Sequence, residues 1–367
     1  MLRISKYQLF AMVVIFQLGT TIIFGFASSA GRDAWISSLM TTALGSILVG
    51  CYVLIFRLTG ELSLVEWPTA MFGKWIGMPI AWLYPFVFIY DGARIVSDIR
   101  FLFPITVLHG TPNWIIGVTF LLVVAYALYS GFEVIARMTS LFLPLLLVFL
   151  IAETLLLWLS DRVDLLNLLP IMGEGWDRVL KTIWPLGITQ TFGETIEFAV
   201  FWEYLESKGK KSLGRIMISG CLLSGFCITL FILLGSVCMG ESIYKQMMYP
   251  AFALLKLANI ADLLDNLDAV GIIYLVITAF GKLSLHLFAA VFCIQKLLKA
   301  QKYGFIIAIV CSLTYFISLT MVVSFTDHLQ VAINVLPSRI WLPLFLYLPF
   351  LFLGATLLKK IIQGARS

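Results

Sequence analysis

The chain has 367 residues, of which 61% are hydrophobic and only 12% charged, against about 25% charged in an ordinary soluble domain. Its mean hydropathy is +1.00 and its net charge +5. A soluble protein of this size needs far more polar surface, and so small a positive balance, spread over several loops, excludes a nucleic-acid partner.

Taken in chain order, Arg3 and Lys6 precede an uncharged run from Tyr7 to Gly31. A signal peptide has an apolar core of about 7–15 residues, so this longer run is expected to remain as a first membrane helix. Apolar stretches of spanning length lie at 8–29, 36–56, 114–132, 138–159, 215–239, 303–325 and 340–358, while 80–104, 182–202 and 268–295 are long enough but carry charges. The sequence therefore predicts an all-α integral membrane protein of about ten transmembrane helices, a single domain over residues 1–367. Lys and Arg concentrate in the segments on the N-terminal side, which predicts both termini in the cytoplasm. Trp35, Trp114, Trp158 and Trp341 fall at the opposite helix ends, where interfacial aromatics are expected. Two long outer connections, 160–181 and 240–267, read equally as lids over a cavity or as helices resting on headgroups. The six cysteines lie in apolar stretches without metal-ligand spacing and read as small buried hydrophobes.

Residues 18–25, Leu-Gly-Thr-Thr-Ile-Ile-Phe-Gly, and residues 186–193, Leu-Gly-Ile-Thr-Gln-Thr-Phe-Gly, agree at five of eight positions. Five spans precede the second copy, so the two cross the membrane in opposite senses, as an inverted repeat requires. Domain bounds follow: a first repeat at 1–160, an outer loop at 161–181 and a second repeat at 182–358. Gly19, Gly25, Gly187 and Gly193 then mark breaks in the first and sixth helices, or close helix packing.

The charged spans are where function is to be sought, because an ionised group in lipid is costly unless it meets a partner or water. In the third span Asp91, Arg94 and Asp98 share one helical face with Tyr84 and Phe88. They read either as a salt-bridge ladder or as a cavity wall. Glu194 follows Gly193 directly and is the leading functional residue, a carboxyl able to receive an ammonium group or a proton. Lys282, between Gly281 and Ser284, needs a carboxylate partner, with Asp91, Asp98 and Glu194 available. His286, one turn further, reads first as a packing residue. No nucleotide, hydrolase, zinc-protease or dinucleotide motif occurs, so no enzyme, cofactor or metal is expected.

Ten spans, Gly31-Arg32-Asp33-Ala34-Trp35-Ile36 after the first helix, Gly73-Lys74-Trp75-Ile76-Gly77, Leu169-Pro170 and Phe192-Gly193-Glu194 resemble the B-subunits of spore-germinant receptors. That family is similar to the amino acid–polyamine–organocation transporters. The resemblance implies a five-plus-five inverted repeat with discontinuous first and sixth helices and a ligand held at their breaks. It places Gly19, Thr20 and Thr21 beside Phe192, Gly193 and Glu194, with Tyr84, Phe88 and Asp91 on one wall and Gly281 and Ser284 opposite. Arg94, Asp98 and Lys282 join Asp91 and Glu194 as ion-coupling or structural charges, Lys282 standing where related transporters hold a cation. The function implied is a germinant sensor for a small nutrient, an amino acid above all, working with an A-subunit and a lipoprotein C-subunit in the spore inner membrane. A proton-coupled amino-acid or amine transporter is the alternative.

Overall fold

The computed structural model describes residues 3–19, 21, 25–106, 108–247, 249–257, 268–321 and 324–364. Among these the chain is helical throughout, with one isolated bridge between Ile4 and Leu205. The membrane segments are α1 (Lys6–Leu18), α2 (Ala34–Leu58), α3 (Trp67–Thr106), α4 (Asn113–Ser130) and α5 (Phe132–Leu159) in the first half. The second half has α6 (residues 176–200), α7 (Leu213–Gln246), α8 (Asp268–Leu298), α9 (Gly304–Thr320) and α10 (residues 325–364). Seven described helices are individually long and apolar enough to cross a membrane, and α9 with the opening turns of α10 forms a bent eighth. The other two, α1 and α6, are interrupted and fail that test, so that the ten segments yield seven regular spans and one bent one.

The interruptions have separate local causes. α1 opens on a capping box in which Ser5 and Gln8 satisfy each other's backbone N–H groups, and it stops at Gly19, whose φ of +33° is left-handed. In α6 the backbone leaves helical geometry at Trp184 (φ −118°, ψ 128°), before Pro185, and not at the glycines. It runs on as a π-helix over Ile183–Phe192 and a 3-10 helix over Gly193–Val200. Gly187 and Gly193 have instead a packing role: a Cβ on Gly187 would lie 2.9 Å from Phe26 and Thr41, and one on Gly193 3.2 Å from Phe345. The shared motif thus marks a backbone break in α1 and close approach in α6.

Small residues also set the other helix contacts, as expected where lipid provides no hydrophobic drive for helices to associate. Gly220 of α7 receives Val13 of α1, Gly225 of α7 receives Thr42 of α2, and Gly281 of α8 receives Ile15 of α1. α8 lies at the centre, 94% buried over its apolar window, whereas α5 is 28% buried over its own and turns Leu141, Val148, Ile151 and Leu155 outward. Trp114 and Trp158 are exposed as expected of interfacial residues, but Trp341 is only 2% exposed. The 160–181 connection is tied down: Asn167 donates to Val237 O, Met172 N–H donates to Asp33, and Arg32 donates to Leu169 O. The 240–267 connection lies partly outside the described residues.

The packing at Gly45 of α2 generates a direct test. A Cβ there would sit 2.2 Å from the Phe192 ring, while one at Gly50 of the same helix meets nothing within 4 Å. Gly45→Ala is expected to cost about 1–3 kcal/mol through overpacking, read as a lowered detergent-solubilised melting temperature. Gly50→Ala should leave that temperature unchanged or slightly raised; equal behaviour of the two variants would refute the contact.

Candidate functional site

A cavity of about 310 Å³ opens where the interrupted end of α1 meets α3, α6, α8 and α10. Thr21, Asp91, Arg94, Asp98, Glu194 and Lys282 all line it. Four helices distant in sequence thus contribute polar groups to one space.

Lys282 and Glu194 form its centre. Nζ of Lys282 lies 2.6 Å from Oε2 of Glu194, with both side chains at most 5% exposed. Their meeting depends on Gly19: a Cβ on that residue would lie 2.5 Å from Cδ of Lys282. The lysine stem therefore crosses the end of α1 only because no side chain stands there. The ammonium also sits 5.2 Å from the Phe16 ring centroid, a favourable cation–π distance.

The charges of α3 are arranged differently from an internal ladder. Asp91 accepts from Trp341 Nε1 at 3.1 Å, and Asp98 lies 2.7 Å from Nε2 of His328. Both partners come from α10. Arg94, spaced to pair with either carboxylate, makes no ion pair among the described residues and keeps a buried Nη1 without a hydrogen-bond partner. Thr21 Oγ1 and Asp91 Oδ2 are likewise buried and unpartnered. Unsatisfied polar atoms of this kind are expensive, and their convergence on a cavity is what a polar ligand or ordered water would relieve.

The remaining expected site residues sit elsewhere. Tyr84 donates to Leu344 O, Phe88 packs in the core, Phe192 covers Gly45, Gly193 O accepts from Tyr52, Gly281 packs on Ile15 and Ser284 is buried with Oγ unpartnered. None of these six lines the cavity, and neither does Gly19, which ends α1 and gives passage to Lys282. Thr20 lies outside the described residues. Helical periodicity could not separate these from Asp91 or Glu194, because buried faces of both kinds carry the same apolar spacing.

Conversely, Gln190, Lys245, His286 and Trp341 line the cavity. Lys245 connects it to an ion cluster in which Glu241 receives Lys245 at 2.6 Å, Arg32 at 2.5 Å and Arg178 at 2.6 Å, while Arg178 also reaches Asp33 at 3.1 Å. Glu241 thus ties the end of α7 to the segment after α1 and to the start of α6.

The family model described as "Spore germination protein" matches residues 3–326. The chain belongs to the spore germination protein family. It is 29% identical over 360 residues to spore germination protein KB of Bacillus subtilis (strain 168), covering 98% of this chain and 96% of that one. It is 27% identical over 261 residues, 71% of each chain, to spore germination protein XB of Bacillus anthracis. Among solved structures it is similar to MHP1, a nucleobase-cation-symport-1 family transporter in a closed conformation with bromovinylhydantoin bound, with a TM-score of 0.65 at 11% identity. That match covers 90% of this chain and 75% of the transporter, and it shows a shared transporter-like membrane fold.

Removing the acceptor shared by three cations should be costly. Glu241→Gln is expected to lose about 1.5–3 kcal/mol of stability, as for hydrogen bonds to charged groups. By contrast, Glu133→Gln breaks only the exposed i,i+4 pair with Arg137 and should have almost no effect. Thermal denaturation of the two variants side by side checks this; a neutral Glu241→Gln would show that the cluster does not hold these segments together.

Proposed function

We propose that the protein is the germinant-sensing subunit of a spore germinant receptor, binding a small nutrient, in the first place an amino acid, in the cavity between α1, α3, α6, α8 and α10. The observation that carries this reading is the meeting, in one cavity, of a guanidinium that makes no ion pair among the described residues with a buried carboxylate. Arg94 offers N–H donors to a ligand carboxylate, and Glu194 can exchange the Lys282 ammonium for a ligand ammonium. At about 310 Å³ the cavity is at the small end of ligand pockets, which run from about 300 to 1,000 Å³. That size favours a single amino acid over a larger solute.

Binding, and no chemical conversion, is the proposed role. The ligand would act by preferring one of two arrangements of the interrupted helices, since only differential affinity shifts such an equilibrium. On this reading, which family membership supports, the protein would work with an A-subunit and a lipoprotein C-subunit in the spore inner membrane, and the distribution of Lys and Arg would put both termini on the spore-core side. The second reading, a proton-coupled amino-acid or amine transporter, is favoured by the transporter-like fold.

Two measurements decide these points. In a thermal-shift screen of purified protein against amino acids, sugars and nucleosides, a zwitterionic amino acid should raise the melting temperature. Glu194→Gln and Arg94→Gln should each weaken that response by tenfold or more while the protein still reaches the membrane. Arg94→Lys should not restore it, because a point charge does not reproduce the planar fork. An unchanged dose response in both Gln variants would refute the site. Uptake of radiolabelled ligand into proteoliposomes separates the two readings: binding without flux supports the sensor, and accumulation driven by a pH gradient supports the transporter.

A further inference from the structure

Next to the Lys282–Glu194 pair stands a second pair that the ligand reading does not use. Glu197 is one 3-10 turn beyond Glu194, and in that geometry side chains at i and i+3 eclipse one another. His286 is one α-helical turn beyond Lys282 and so lies on the same face of α8. The two helices therefore present a ladder of two rungs. Nδ1 of His286 lies 2.7 Å from Oε2 of Glu197, and Nε2 of the same ring lies 3.9 Å from Oε2 of Glu194. Glu197 is 0% and His286 1% exposed.

The charges of this ladder do not balance unless a proton is added. The first rung is neutral as an ion pair. The second, with an ionised Glu197 and a neutral imidazole, would place one further negative charge on a carboxylate that is 0% exposed. Neither Glu197 oxygen and neither ring nitrogen has an aligned hydrogen-bond partner to spread such a charge. The groups around this rung do not supply a full counter-charge: two cations, Lys282 and Arg94, stand among three carboxylates, Asp91, Glu194 and Glu197, while Cys293 is a thiol and Phe16 meets the imidazole edge-on at 5.0 Å. An isolated buried charge costs several kcal/mol even after relaxation.

We propose that Glu197 and His286 form a proton-binding site that holds one proton between them, behind the ligand cavity. The proton resides on Oε2 of Glu197 or on Nδ1 of His286, atoms that lie 2.7 Å apart. Either way the rung is neutral overall, and the proton belongs to the pair and not to one residue. Because His286 also lines the cavity and approaches Glu194, a ligand that engages Glu194 or draws Lys282 away changes the charge this proton faces. Ligand binding and proton occupancy are then linked; this last step rests on the reading of the cavity as a ligand pocket.

Infrared difference spectroscopy of the ligand-free protein in membranes, before and after exchange into D2O, tests the site independently of any ligand. A protonated-carboxyl carbonyl band that shifts on deuteration is expected at neutral pH, and it should be lost in Glu197→Gln. Should that variant not assemble, Glu197→Asp should keep the band at a shifted frequency. A wild-type spectrum with neither this band nor an imidazolium band that Glu197→Gln removes, or one left unchanged by either variant, overturns the proposal. Linkage is tested by calorimetric titration with the amino acid from the thermal-shift screen, in two buffers of different ionisation enthalpy. Buffer-dependent heats in the wild type that vanish in Glu197→Gln support linkage, and buffer-independent heats in the wild type overturn it. Absence of binding in any buffer overturns the ligand reading and leaves the proton site to the spectroscopic result.

Discussion

A lysine on the most deeply buried helix of a membrane protein must find a carboxylate, and much of this structure follows from where Lys282 finds one. Its partner Glu194 is on α6, and the path between them passes the end of α1. Gly19 satisfies two demands there, a left-handed backbone at the helix end and an absent side chain where the lysine stem crosses. An unpaired ammonium in this position would be far more costly than the loss of a few helical hydrogen bonds. The interruption of α1 and the ion pair are thus one feature seen from the backbone and from the side chains.

α10 has the complementary effect on α3. Trp341 engages one oxygen of Asp91 and His328 engages Asp98, and Arg94 is left without an ion pair among the described residues. Had Arg94 paired with its own helical neighbours, the cavity would be lined by internally neutralised groups and would offer a ligand only weak polar contacts. Instead the Arg94 guanidinium and the Glu194–Lys282 pair face the same space. Pre-organised charges of opposite sign in a low-dielectric enclosure favour a ligand that itself carries both signs.

Several of these features were legible in the sequence. Apolar runs and their lengths specify the membrane class, and the three charged spans supply Asp91, Arg94, Asp98, Glu194 and Lys282, each of which lines the cavity. The cost of burying charge makes such residues conspicuous in a chain that is only 12% charged. Aromatic and small residues carry no comparable mark. Tyr84 and Phe88 share a helix face with Asp91, and Phe192, Gly281 and Ser284 are close in sequence to Glu194 and Lys282, yet none of the five lines the cavity. Trp341, placed by its position at a helix end among interfacial aromatics, is drawn inward by Asp91.

The glycine motif shows where local pattern reaches its limit. Two copies of nearly the same eight residues have different backbone outcomes, a positive-φ break in one and close packing in the other, because Pro185 has already interrupted α6. By itself the sequence determined the solvent in which this protein folds, the approximate number of its helices and which of them carry buried charge, since these depend on composition and period alone. Only the tertiary structure decided which charge meets which, because Glu194–Lys282, Asp98–His328 and Asp91–Trp341 join residues far apart in the chain. Such long-range pairings are selected by the joint packing of all the helices, which no single segment specifies.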